Sequence, residues 1–203
     1  MNVGVRATAS RARRDKILGA ALDLFLEKGL GATTGGDIIE RSGASVGSFY
    51  HHFDGKADVA AALYLETLDL YEQRFLAELR KHEGARDGIE GAVRQHLRWT
   101  ERNPKQASYL IHCREPEVAE LSEDRAQQLN RVFFDEVSKW LGRHADKGEV
   151  RKLPSDVYYA LWMGPANEFT RLWLLGSNRD PRRITRAEAL LADAAWKALR
   201  VDS

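Results

Sequence analysis

Cysteine is almost absent from this chain of 203 residues: Cys113 stands alone, so no disulfide can close within it. That suits a reducing compartment and excludes a cross-linked secreted scaffold. No apolar run approaches the roughly 18–20 residues that span a bilayer, and the N-terminus has no apolar signal core. A cytoplasmic location with no membrane partner is therefore expected. Charge of one sign is lacking as well. Lys and Arg number 31 against 30 Asp and Glu, a net charge of +1, which excludes a uniformly basic nucleic-acid coat. No phosphate loop, GxSxG or HExxH occurs. His112 and Cys113 are neighbours, about 100° apart on a helix, and cannot easily pair as base and nucleophile. His82, His96, His112, Cys113 and His144 show no metal-ligand spacing. Neither an enzyme nor a bound metal or cofactor is expected.

Alternating runs of strand formers between turn signals are missing too, and helical periodicity takes their place. The expected fold is all-α with about nine helices. Residues 1–9 read as an unstructured arm, and the first helix covers residues 10–28, with Ile17, Ala21, Leu24 and Phe25 in phase and Gly29 ending it. Around that start, Arg6, Arg11, Arg13, Arg14 and Lys16 outweigh Asp15 by four charges, a local excess able to meet phosphates. A long fourth helix opens at Lys56 and carries Ala61, Tyr64, Leu68, Tyr71, Phe75 and Leu79 on one stripe. The fifth covers residues 87–103, the sixth 104–113 and the seventh 122–145. An eighth starts at Pro154-Ser155 and is kinked at Pro165, which removes a backbone bond. The ninth covers residues 185–200.

Between the first and fourth helices lies the stretch on which the chain is organised. Thr34 can cap a helix, and Asp37 follows it by three, a loose capping box. Ser42-Gly43 stops that helix, and Ser45 can cap another almost at once. Phe49 and Phe53 are four apart and anchor the second helix, leaving Tyr50 and His51 to point elsewhere. Two short helices across a tight glycine turn form a helix-turn-helix, whose second helix enters the DNA major groove. Ser45, Val46, Gly47 and Ser48 hold the face for base edges: Val46 suits a thymine methyl, Gly47 permits close approach, and Ser48 pairs with several bases. Thr34 could offer its hydroxyl and its N–H to a phosphate, and His51 could reach a phosphate or a base.

Thr33-Thr34, Asp37-Ile38, Ser42-Gly43, Ser45, Gly47, the run Phe49-Tyr50-His51-His52-Phe53 and Lys56 together resemble the signature of the tetracycline-repressor (TetR) family. The resemblance covers roughly residues 14–63, about a quarter of the chain. It implies a homodimeric transcriptional regulator, usually a repressor, that a small-molecule effector releases from double-stranded operator DNA. It further implies that Tyr50 and Lys56 act as phosphate clamps, and that the helical body encloses a cavity. The expected division is a DNA-binding domain at residues 1–53 and a ligand-binding and dimerisation domain at 54–203. Two departures stand out. The second helix of the motif has no Arg, Lys, Asn or Gln for bidentate base contacts, which shifts the burden to DNA shape and the basic arm. Gly35-Gly36 replaces a basic side chain common nearby in the family.

In the body, Leu68, Tyr71, His96, Trp99, Tyr109, His112, Cys113, Phe133 and Asn167 are the candidate effector site, mostly apolar with a few polar anchors. The same residues also read as ordinary core with satisfied histidines. Trp173, Ala189, Ala192, Trp196 and Leu199 are the candidate dimer face, small residues allowing close approach and tryptophan an anchor. The alternatives are a helical ligand-binding or interaction protein with lost DNA affinity, and a redox sensor built on Cys113.

Overall fold

The computed structural model describes residues 3–112, 116–176 and 179–201; the side chains of residues 3–7 and 117 lie outside it. Ten helices and no strand are formed among the described residues, so the protein is all-α. The chain gathers into two compact units, residues 1–68 with 105–126, and residues 69–104 with 127–203.

The first unit holds α1 (Val3–Ala32), α2 (Gly35–Ser42), α3 (Val46–His52), the start of α4 (Lys56–Leu79), α6 (Pro104–His112) and the start of α7 (Pro116–Asp146). Helical backbone begins at Val3, where the sequence suggested an arm; no proline interrupts this stretch, and Ala7 and Ala9 favour the helix where Gly4 does not. The expected end at Gly29 is a break inside α1: Gly29 has φ 83°, a positive value that only glycine adopts at little cost, and a last turn follows to Ala32. Apolar residues four apart on α1 meet the short helices. Ile17, Ala21, Leu24 and Phe25 pack with Ile38 of α2, Phe49 and Phe53 at α3, and Val59 and Leu63 of α4. Tyr109 of α6 closes this core, stacking on Phe25 at 6.0 Å and donating its hydroxyl to the Ala60 carbonyl at 2.9 Å. Lys105 adds an ion pair to Asp23.

The second unit is built on α5 (Ala85–Arg102), which packs against α9 (Gly164–Leu175) and α10 (Pro181–Leu199) and buries Ile89, Val93 and Leu97 completely. α8 (Ser155–Trp162) joins through Trp162, whose indole donates to the Ile89 carbonyl at 3.0 Å. The expected eighth helix is two helices: Met163 is their shared cap, and Pro165 lies at the start of the second, where its missing N–H costs nothing. The same rule moves two other starts. Pro116 opens α7 six residues before the expected Ser122, and Pro181 opens α10 behind an Asp180 cap, four residues before Thr185. Arg98 forks onto Glu188 to tie α5 to α10. An isolated antiparallel bridge joins Val150 to Arg200, just after α10.

Burial corrects the expected dimer face. Trp173, Ala192 and Leu199 are 2%, 0% and 0% exposed within one chain, so they belong to its core and have nothing left for a partner. Trp196 is half-buried and Ala189 exposed. The apolar side chains that α9 and α10 turn outward are Leu172, Leu175 and Leu190.

Candidate nucleic-acid interface

α2 starts in a complete capping box. Thr34 accepts the Asp37 N–H on its hydroxyl at 3.1 Å, while Asp37 accepts the Thr34 N–H at 2.7 Å and the Thr34 hydroxyl at 2.8 Å. Lys28 completes the arrangement at 2.8 Å from the same carboxylate. The Lys28 hydrogen bond, then those from Thr34, hold the Asp37 carboxyl well below the usual range, so this cap survives mild acid. This corrects the expected role of Thr34. Both of its donors are spent on Asp37, and the free amides of this helix start are those that follow it.

Gly43 takes the left-handed turn with φ 67°, and Ser45 caps α3 by accepting the Ser48 N–H at 3.1 Å. Phe49 and Phe53 point inward, 0% and 3% exposed. Helical geometry then forces the opposite face out. Val46 and Tyr50 are 61% and 59% exposed, Gly47 and His51 lie on the surface, and Ser48 is half-buried. A Cβ at Gly47 would meet nothing within 4 Å, so this glycine is not needed by the fold and leaves the helix face bare. Tyr50 is set edge-on against Phe49 at 5.2 Å, which fixes its ring while its hydroxyl stays in water.

Lys56 is a second correction. Its ammonium donates to the carbonyls of Leu30 at 3.1 Å and Gly31 at 3.3 Å, at the end of α1. It cannot act as a free clamp without leaving those acceptors, so one proton at most remains for a phosphate. Of the basic arm, Arg14 pairs with Glu66 and lies over the Phe53 ring at 5.2 Å. Arg11, Arg13 and Lys16 are exposed and form no ion pair among the described residues. Arg6 lies outside the described side chains. Burial, then His51 and Arg14, hold the His52 imidazole below its ordinary pKa, so it stays neutral beside these cations.

The expected effector residues divide. Tyr71, His96, Trp99, Phe133 and Asn167 fall in the second unit, whereas Leu68, Tyr109 and His112 fall in the first. Tyr109 is core there, and His112 is exposed with its ring on the Ser108 carbonyl at 2.8 Å. Cys113 lies outside the described residues. Within the second unit a buried chain of hydrogen bonds can be read proton by proton. Thr170 donates its hydroxyl to the Asn167 carbonyl at 2.9 Å, so it must accept from His96 Nε2 at 3.2 Å. Burial pushes the His96 pKa down to about 4, so the ring is neutral and Nδ1 carries no hydrogen. Tyr71 therefore donates to Nδ1 at 2.9 Å. His96 is thus a satisfied core histidine. Asn167 ends the chain by donating from its amide to the Tyr159 hydroxyl at 2.8 Å. Phe133 reaches this region through Phe75, at 5.3 Å.

Two residues of this unit escaped the sequence reading. Thr170 has its partner on α5, far away in sequence, and no local signal marks it. Glu72 is buried at 5% exposure, and burial pushes its carboxyl up to about 7. Its signal was present: an acid in phase with Phe75, Leu76 and Leu79 on an apolar stripe. No group of three or more His, Cys, Asp or Glu able to hold a metal occurs among the described residues.

Residues 17–63 match the family model of bacterial regulatory proteins of the tetR family. The chain is 39% identical over 70 residues to the HTH-type transcriptional regulator QacR of Staphylococcus aureus, covering 34% of this chain and 35% of that protein. It is 44% identical over 57 residues to the HTH-type transcriptional repressor KstR2 of Rhodococcus jostii, covering 28% of each. The matches thus span about a third of these relatives or less. Similarity in fold extends further. The transcriptional regulator FadR of Bacillus subtilis, solved in complex with stearoyl-CoA, superposes with a TM-score of 0.74 over 90% of this chain and 97% of its own, at 14% identity. The segment that matches the tetR family model thus folds as a complete helix-turn-helix, with its capped α2, its glycine turn and its α3 anchored by Phe49 and Phe53.

Proposed function

We propose that this protein is a ligand-responsive, DNA-binding transcriptional regulator, a repressor that a small-molecule effector releases from its operator. The observation that carries the reading is α3: a capped helix with two buried phenylalanines and an outer face left to Val46, Gly47 and Tyr50. A fold with no use for that face other than solvent would not need to hold Tyr50 edge-on and bare. A double-stranded operator as partner implies a cytoplasmic protein. QacR is a regulator and KstR2 a repressor by name, and the FadR structure holds stearoyl-CoA, which supports an effector bound by the helical body.

A palindromic operator needs two recognition helices related by a two-fold axis. We place the homodimer contact on the outward side of α9 and α10, where Leu172, Leu175 and Leu190 are 51%, 59% and 74% exposed. A homodimer contact there would cover leucines that one chain leaves to solvent.

A second reading, a helical ligand-binding protein that has lost DNA affinity, is favoured by one set of facts. Thr34 and Lys56 are committed to internal partners, and α3 has no long polar side chain. A mobility shift on the DNA upstream of its own gene separates the two readings. Retardation of that DNA over unrelated DNA, weakened by Tyr50→Ala in a protein that still melts normally, supports the regulator. Equal or absent retardation of both DNAs supports the second reading.

A further inference from the structure

Gly47 has no use inside the fold. It stands in the first turn of α3, and glycine is the least favourable helix residue after proline. Its φ is not positive: among the described residues only Gly29, Gly43 and Gly148 have that conformation. A Cβ there would meet nothing within 4 Å, so no neighbour in the chain forbids a side chain. A left-handed turn and a tight internal contact are both ruled out as its reason. Close approach by something outside the chain remains. Val46 lies beside it in the same turn, 61% exposed. This side chain is β-branched and stiff, so holding it against a partner costs little rotamer freedom. The hydroxyls nearby discriminate poorly. Ser45 already accepts the Ser48 N–H at 3.1 Å, and a serine pairs with any base. α3 holds no Arg, Lys, Asn or Gln, and its two histidines fall in the last turn, away from the end that meets base edges.

An apolar side chain gains by covering an apolar partner, and the major groove offers one kind. Its base edges carry hydrogen-bond donors and acceptors, and the C5-methyl of thymine is the apolar exception. We propose that α3 reads its operator through thymine methyls, with Val46 packed on the methyl and Gly47 letting the helix backbone come close. This rests on the regulator reading and names the chemistry of the DNA which that reading requires. Each half-site carries a thymine where other recognition helices set an arginine on guanine. A 5-methylcytosine bears the same methyl at the same ring position, so it satisfies Val46 equally.

The test starts by selecting bound duplexes from a random-sequence pool with the intact protein. Anisotropy titrations on the enriched site follow. Each thymine is replaced singly by deoxyuridine, which loses the methyl and keeps every hydrogen-bonding group. At one position in each half-site this should weaken binding about threefold to fivefold, the effect of one buried methyl. Cytosine and 5-methylcytosine placed there should differ by a similar factor. Val46→Ser should bind the thymine and uracil sites equally. Gly47→Leu should bind the enriched site about tenfold or more weakly, because its side chain blocks the approach. Both variants should melt as the parent does, since Val46 is exposed and a Cβ at Gly47 touches nothing. Three results overturn the assignment: uracil bound like thymine at every position, a methyl preference that survives Val46→Ser, or undiminished binding by Gly47→Leu. Any of them on an enriched site refutes this inference alone. Enrichment of no sequence refutes the regulator reading, and this inference with it.

Discussion

Gly88 occupies a place where a methyl group cannot fit: a Cβ there would lie 2.3 Å from Cζ2 of Trp140, a ring that also stacks on Trp162. Gly88→Ala should therefore cost about 1–3 kcal/mol through overpacking. Gly142 offers a control, since a Cβ there meets nothing within 4 Å and the site is an exposed helix position. Gly142→Ala should gain up to about 1 kcal/mol from helix propensity. Urea denaturation of both variants checks the pair of signs. Glu72 makes a pH-dependent prediction. Its carboxyl is raised from 4.5 to about 7, so the folded state holds the proton more tightly than the unfolded one. Stability must then fall as pH rises from about 4.5 to about 7, and level off above. Glu72→Gln removes that loss: the variant should exceed the parent by on the order of 1–3 kcal/mol at pH 8 and match it at pH 4. Denaturation curves at the two pH values decide it. Residue roles were legible where partners are near in sequence. Gly43, Ser45, Phe49 and Phe53 act within four residues of themselves, and each stands as read. Lys56, Tyr109 and His96 find partners 26, 49 and 74 residues away, and no local pattern announces them.

At the scale of elements, helix interiors were readable because period 3.6 is written in every turn, whereas two starts were expected several residues after the proline that opens the helix. Pro116 and Pro181 each open a helix, because the first turn has no use for their missing N–H. Pro165 turned an expected kink into a break for the same reason. The junction of α1 and α4 depends on Lys56, which caps the carbonyls of Leu30 and Gly31. Lys56→Ala should lower stability by about 1–2 kcal/mol. It should also weaken DNA binding by more than the unfolded fraction explains if the ammonium contributes to a phosphate contact. Anisotropy titration with DNA, corrected by a denaturation curve of the same sample, distinguishes a structural from a shared role. The cluster expected to hold an effector was half legible as a cluster. Tyr71, His96, Trp99 and Asn167 do converge, but Tyr109 serves the other unit, since stripes on a helix show which residues are buried and not against what.

For the whole molecule, the proposed assembly and the proposed DNA binding are tested together. The dimer proposal places Leu190 at a contact and Ala192 in the core, 74% and 0% exposed. Leu190→Glu should yield a folded monomer by light scattering at micromolar concentration, while Ala192→Glu should lose its cooperative melt. A dimeric Leu190→Glu would move the contact elsewhere. Monomers should also bind operator poorly, since each carries one recognition helix. The most direct test of the central claim is a footprint of the intact protein on the DNA upstream of its own gene. We expect protection of a two-fold symmetric site whose half-sites lie about one helical turn apart or a multiple of it, lost in Tyr50→Ala. Protection that ignores sequence, or none at a protein concentration where the dimer is complete, would contradict the account.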